Sequence, residues 1–214
     1  MTRVWDVPTR LVHWLMVLLV VFSWWTAETG RMEWHRWSGY SMLGLLIFRI
    51  YWGLAGSSTA RFSQFVRGPR AIARYLQGNW PAAAGHNPLG ALSVVALLVL
   101  LATQVLLGLF AVDVDGIESG PLSTYVSFEA GRAAAQWHEA SFDVLTVLIL
   151  LHIAAVMYYV FFRKQALVSA IVRGQRTYPE PQPVPMRSAS VVRLLLGITL
   201  AVALAWWAAR AFQL

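Results

Sequence analysis

Cysteine is absent from this chain of 214 residues. That one absence removes disulfides, thiolate zinc sites, iron–sulfur clusters and covalently attached c-type haem, since each needs thiol sulfur. Charge is scarce too: 13% of residues are Asp, Glu, Lys or Arg, against about a quarter in soluble domains. Hydrophobic residues make up 58% and the mean hydropathy is +0.57, so a soluble globular domain is excluded as the first reading. Acids are the scarcer sign, 10 against 17 bases, giving a net charge of +7 that is almost wholly arginine. Basic loops between apolar spans account for such a charge through membrane orientation alone, and no nucleic-acid partner is expected. The N-terminal MTRVWDVPTRLVHW carries no small-residue cleavage site, so the first apolar run is expected to be a retained span rather than a signal peptide.

What the chain does have is long apolar runs, at about 10–27, 37–56, 89–112, 140–162 and 191–213. Each is close to the roughly 20 residues that a spanning helix needs. None alternates with period two, and lipid accepts only helices or closed barrels, so an all-α integral membrane fold with five spans is expected. Ser57 to Pro88 holds Arg61, Arg67, Arg70 and Arg74 with no acid. The stretch after span four holds Arg163, Lys164, Arg173, Arg176 and Arg187 with only Glu180. Both are expected on the cytoplasmic side of a bacterial inner membrane, together with the N-terminus. Glu28, Glu33, Asp113, Asp115, Glu118, Glu129 and Glu139 gather on the other side, where an odd number of spans also puts the C-terminus. Phe62, Phe65, Val66, Ile72, Tyr75 and Leu76 interleave with arginines as in an interfacial helix lying on lipid headgroups, and Gln165–Val172 reads similarly. TYPEPQPVP is a semi-rigid linker, and Asn87 and Pro88 are expected as N-cap and N1 of span three.

Ionisable residues inside spans are functional candidates by default. His13 lies one turn into span one, His35 opens span two, and His138 and His152 share span four, fourteen residues apart. At about 100° and 1.5 Å per residue, they fall within roughly 40° of one face and about 21 Å apart. Topology then pairs His35 with His138 on the outer side and His13 with His152 on the cytoplasmic side. Two neutral imidazoles facing each other across a bundle can take one haem iron between them. Gly39 and Gly44 on span two, and Gly108 on span three, would let a flat macrocycle approach the backbone, or would serve close helix packing. Arg49 repeats the fourteen-residue interval from His35. It puts a cation on the interior face, to meet a haem propionate or to snorkel to headgroups. Arg10 offers the same haem a second cation, or is an orientation charge. His86 sits in a loop beside a helix start, open to a role as cap, propionate donor or part of a quinone pocket. Trp24, Trp25, Trp34, Trp37 and Trp137, and Trp206 and Trp207 on span five, read as interfacial anchors.

VWDVPTRLVHW, WHRWSGY with Arg49 fourteen residues after His35, GHNPLGAL, and WHEASFDVLTVLILLHIAAV followed by LVSAIVRGQRTY together resemble the bacterial cytochrome b561 proteins and the b-type cytochrome subunit of nickel–iron hydrogenases. The match runs from residue 3 to about 178. The resemblance implies a four-helix bundle holding two b haems with bis-histidine ligation, carried over to His13, His35, His138 and His152. That division makes 1–178 the haem-binding domain, 179–190 the proline-rich linker and 191–214 a fifth transmembrane helix beyond the smallest family members. It also implies electron exchange between the membrane quinone pool and an outer-surface redox protein, such as a c-type cytochrome or a hydrogenase small subunit. Two rival functions stand beside this one. Superoxide oxidation with quinone as acceptor needs a positive outer surface for its anionic substrate, whereas the outer loops are acidic. A non-redox anchor subunit would leave the histidines without haem.

Overall fold

The computed structural model describes residues 1–79, 85–115, 117–178 and 184–211. Five long helices dominate it: α1 (Val7–Glu28), α2 (Met32–Ala55), α5 (Pro88–Phe110), α6 (Phe128–Phe161) and α8 (Val191–Arg210). Between them lie the short helices α3 (Phe62–Phe65), α4 (Pro69–Leu76) and α7 (Leu167–Arg173). Four of the long helices, α1, α5, α6 and α8, are long and apolar enough to cross a membrane. Only 6–17% of each crossing stretch is buried within the chain, so side chains such as Leu150, Leu151, Leu195 and Leu196 are exposed where lipid would cover them. The chain is an all-α integral membrane bundle with an additional C-terminal helix. Of the five apolar spans expected, the second is present as a helix of matching length but not of matching apolarity, because Glu33, Arg36 and Arg49 lie along α2.

Local signals set the helix ends. Asp6 caps α1, with the Thr9 amide donating to Oδ1 at 2.8 Å, and Gly30 at φ +67° reverses the chain after it. Asn87 caps α5 as expected, accepting from the Gly90 amide at 2.7 Å, and Pro88 opens the helix. The structure corrects two expected boundaries. α6 begins at Phe128 rather than near residue 140 and runs for 34 residues, about 51 Å against a hydrocarbon core of about 30 Å. Its polar first turns gave no hydropathy signal. The interfacial segment around 62–76 is two helices, since Pro69 cannot continue α3 and instead starts α4. α7 covers the second expected surface helix. The linker expected from 179 lies outside the described residues as far as 183, as do 212–214.

The chain divides into two compact units. The first comprises 1–13, 49–96 and 149–197. Its N-terminus is tied down by an antiparallel ribbon of β1 (Thr2–Arg3) and β2 (Gln175–Arg176) and by the Val4 amide on the Gly174 carbonyl. Its polar hub is Asp6, whose Oδ2 accepts from Trp52 Nε1 at 2.8 Å and from the Ser57 hydroxyl. The second unit comprises 14–48, 97–148 and 198–214, with Tyr40, Leu109, Leu122 and Ala208 packed together.

Candidate functional site

In the second unit, His35 from α2 and His138 from α6 face each other with ring centroids 6.0 Å apart and planes at 89°. Each ring is held through Nδ1 by a main-chain carbonyl: His35 on Ser23 O at 2.9 Å and His138 on Gln104 O at 2.8 Å. A carbonyl only accepts, so Nδ1 carries the proton in both rings. In the neutral imidazole Nε2 is then a lone-pair donor. Hydrogen bonding the far nitrogen to a carbonyl is how proteins orient metal-binding histidines. His138 Nε2 accepts from the Gln104 side-chain amide at 3.1 Å, and the amide is oriented by Ser141, whose hydroxyl donates to Gln104 Oε1.

Gly108 makes the His138 contact possible. It lies one turn after Gln104, and a Cβ there would stand 2.9 Å from His138 Cε1, so only glycine uncovers the Gln104 carbonyl. The two imidazoles open on a cavity of about 440 Å³ also lined by Gly39 and Gln104, within the size range of cofactor pockets. Nothing stands within 4 Å of a Cβ at Gly39. Gly44 instead packs on α8, its absent Cβ 3.4 Å from Ala205 Cβ, which is the helix-packing alternative. Glu28, Glu139, Asp143 and Arg36 line the same cavity. The three acids are exposed, and Arg36 is paired with Glu118.

In the first unit, His13 of α1 and His152 of α6 are close enough to interact electrostatically, and His152 Nδ1 shares a 3.1 Å hydrogen bond with the Ser93 hydroxyl. Arg49 is only 7% exposed. Its guanidinium lies over the Phe62 ring at 5.1 Å, and its Nη1 is buried without a hydrogen-bond partner among the described residues. Phe62 reaches that position because residue 53 is glycine: a Cβ there would overlap the Phe62 ring at 2.1 Å. Arg10 is turned to α7, donating to the Val172 carbonyl at 2.7 Å, a cation at a helix C-terminus. His86 is packed between Trp5 and Phe65, centroids 4.6 Å from each. Burial first, then the charges of Arg49, His152 and His13, lower its pKa to about 3, so it is neutral at ordinary pH. Asn87 donates to the Tyr75 hydroxyl at 2.9 Å, which is bonded to the Tyr159 hydroxyl at 2.6 Å. Burial and Tyr159 raise Tyr75 above the ordinary phenol range.

Among the described residues, no three of His, Cys, Asp and Glu gather around one point. The sequence reading missed Ser23, Ser93, Gln104 and Ser141. Gln104 was legible as an amide in the apolar run of α5.

A family model described as prokaryotic cytochrome b561 matches residues 4–174. A "Probable Ni/Fe-hydrogenase B-type cytochrome subunit" of Azotobacter chroococcum mcd 1 is 22% identical over 84% of this chain and 90% of its own length. A protein of the same description from Cupriavidus necator is 22% identical over 84% of this chain and 88% of its own. No solved structure matches the chain.

Proposed function

This chain belongs to the prokaryotic cytochrome b561 family and is a membrane b-type cytochrome of electron transfer, and from that premise we propose that it holds two b haems. One lies between His35 and His138, the other between His13 and His152, and the electrons pass between quinone in the bilayer and a basic redox protein at the outer surface. Haem supplies one-electron redox chemistry. The chain's own residues orient the ligands, place charge around them and set access.

The observation that carries the reading is the His35/His138 pair. At about 2 Å per metal–nitrogen bond and about 1 Å from each nitrogen to its ring centre, two imidazoles sharing a metal stand about 6 Å apart, and these stand 6.0 Å apart. Both keep Nδ1 on a carbonyl, and the glycine-lined cavity beside them gives a macrocycle room. Haem would take the place of the Gln104 amide at His138 Nε2. For the second haem, His152 is oriented by Ser93, and the buried Nη1 of Arg49 suits an anionic propionate.

The arginine-rich loops of the first unit support a cytoplasmic N-terminus. The acidic cavity of the second supports an outer face that attracts a basic carrier, a c-type cytochrome or a hydrogenase-like protein, rather than superoxide. The hydrogenase-subunit names of the relatives favour the second kind of carrier. Haem per protein in single alanine variants tests the assignment. His13→Ala, His35→Ala, His138→Ala and His152→Ala each lose one haem of two and His86→Ala loses neither; haem loss in His86→Ala with both haems kept in any of the four contradicts it.

A further inference from the structure

Several buried polar atoms in the first unit are left over, and two of them belong to side chains packed on the Phe62 and Phe65 rings. His86 Nδ1 and Arg49 Nη1 are enclosed, and neither has a hydrogen-bond partner among the described residues. Arg49 lies over the Phe62 ring and His86 packs on the Phe65 ring, and these two rings are 5.8 Å apart, so the two groups flank one aromatic pair, and Arg49 acts on His86 ahead of His152 and His13. Leaving one buried donor unsatisfied costs about 1–3 kcal/mol, and more for a charged one. Asp6 is the carboxylate whose charge reaches Arg49, but its oxygens already take the Thr9 amide, Trp52 Nε1 and the Ser57 hydroxyl. Water satisfies a neutral donor, whereas a buried guanidinium needs an anion. Arg49 Nη1 can only donate, and neutral His86 donates from Nδ1 in one of its two tautomers, so one acceptor shared by both is an anion, and a carboxylate is the group that matches a guanidinium.

We infer that His86 and Arg49 form a carboxylate clamp, with His86 Nδ1–H and Arg49 Nη1–H donating to one propionate of the haem assigned to His13 and His152. The clamp rests on that haem assignment. Its residues come from separate segments, and each is aimed by aromatic packing: Trp5 and Phe65 flank the His86 ring, and Phe62 lies against the Arg49 guanidinium. The donor directions are thus fixed by the chain before any ligand arrives. His86 stays neutral in this setting, so it adds a hydrogen bond without adding charge, and Arg49 alone supplies the counter-charge.

The test is a reduced-minus-oxidised infrared difference spectrum of the full-length protein loaded with haem carrying ¹³C-labelled propionate carboxylates. His86→Phe keeps a packed ring and removes the donor; it should retain both haems and shift a labelled carboxylate band. His86→Asn puts an amide N–H near the Nδ1 position and should return that band toward its wild-type place. If His86→Phe loses a haem while His86→Asn keeps both with the wild-type band, the clamp is supported as well. Unmoved bands in a two-haem His86→Phe, or haem loss in both variants, overturn it. Retention of both haems by His13→Ala would sink the haem assignment and the clamp together. A one-haem His13→Ala alongside unmoved bands in His86→Phe sinks the clamp alone.

Discussion

The two units each present a pair of histidines, in opposite surroundings. Around His35 and His138 each ring has its Nδ1 proton on a carbonyl, and the charges at the cavity are mostly acids, with Arg36 answered by Glu118. In the unit of His13 and His152 the buried cation is Arg49, which acts on His86 as those two histidines do and whose Nη1 has no hydrogen-bond partner among the described residues. Two histidine pairs of the same chemistry therefore meet different fields. Nearby positive charge stabilises the reduced, less positive iron, and carboxylates stabilise the oxidised one. Under the proposed assignment the two haems would have different potentials, with the higher in the arginine-bearing unit, and electrons entering at the acidic unit would run downhill to it.

The largest expected break in this comparison comes from Gly108→Ala. Its Cβ would force His138 off the Gln104 carbonyl, and losing such an orienting partner typically costs about 10–100-fold in affinity. Haem titration of the apoprotein should show one weakened site and one unchanged. Equal weakening of both would mean that Gly108 acts on the whole bundle.

Next in size is the effect of salt on the acidic cavity. Glu28, Glu139 and Asp143 should steer a basic electron carrier, so stopped-flow association should slow by roughly tenfold or more as the Debye length falls from about 30 Å at 0.01 M to about 8 Å at physiological salt. A rate that rises with salt would favour an anionic substrate such as superoxide.

Arg49→Gln sharpens the electrostatic side. Removing a unit charge at an assumed separation of about 10 Å in an effective dielectric near 20 is worth on the order of 1–2 kcal/mol, a fall of on the order of 50–100 mV for one electron. In a redox titration the higher step should move down by that amount and the lower step hardly at all. The smallest effect is expected from Gln104→Leu, which removes the side-chain bond to His138 Nε2 but keeps the carbonyl that holds Nδ1. Haem content should stay at wild type, and affinity in the second unit should rise by a few-fold because no amide is displaced.

Sequence alone carried the helices well and the chemistry around the histidines only in part. Apolar runs and their length placed the five long helices, apart from the polar first turns of α6, and Asn87–Pro88 announced α5 because cap chemistry is local. The fourteen-residue interval put His138 and His152 on one face, and the structure brings His138 to His35 at 6.0 Å. What stayed hidden was main-chain: Ser23 and Gln104 present carbonyls to the two rings, and no side-chain identity encodes a carbonyl acceptor. Gly44 and Gly108 look alike in sequence, yet one packs on α8 and the other makes room for His138, a distinction set by which helix lies opposite. Arg10 could serve a haem by its position, but α7 offers it a helix terminus. The two-residue ribbon of β1 and β2 is too short for any periodic signal.

The central claim is that two histidine pairs hold two haems in unlike fields, and spectroelectrochemical titration of the wild type beside His35→Ala and His13→Ala tests it most directly. The account predicts two steps in the wild type, only the higher in His35→Ala and only the lower in His13→Ala. Loss of the same step in both variants, or two steps surviving in either, would contradict it.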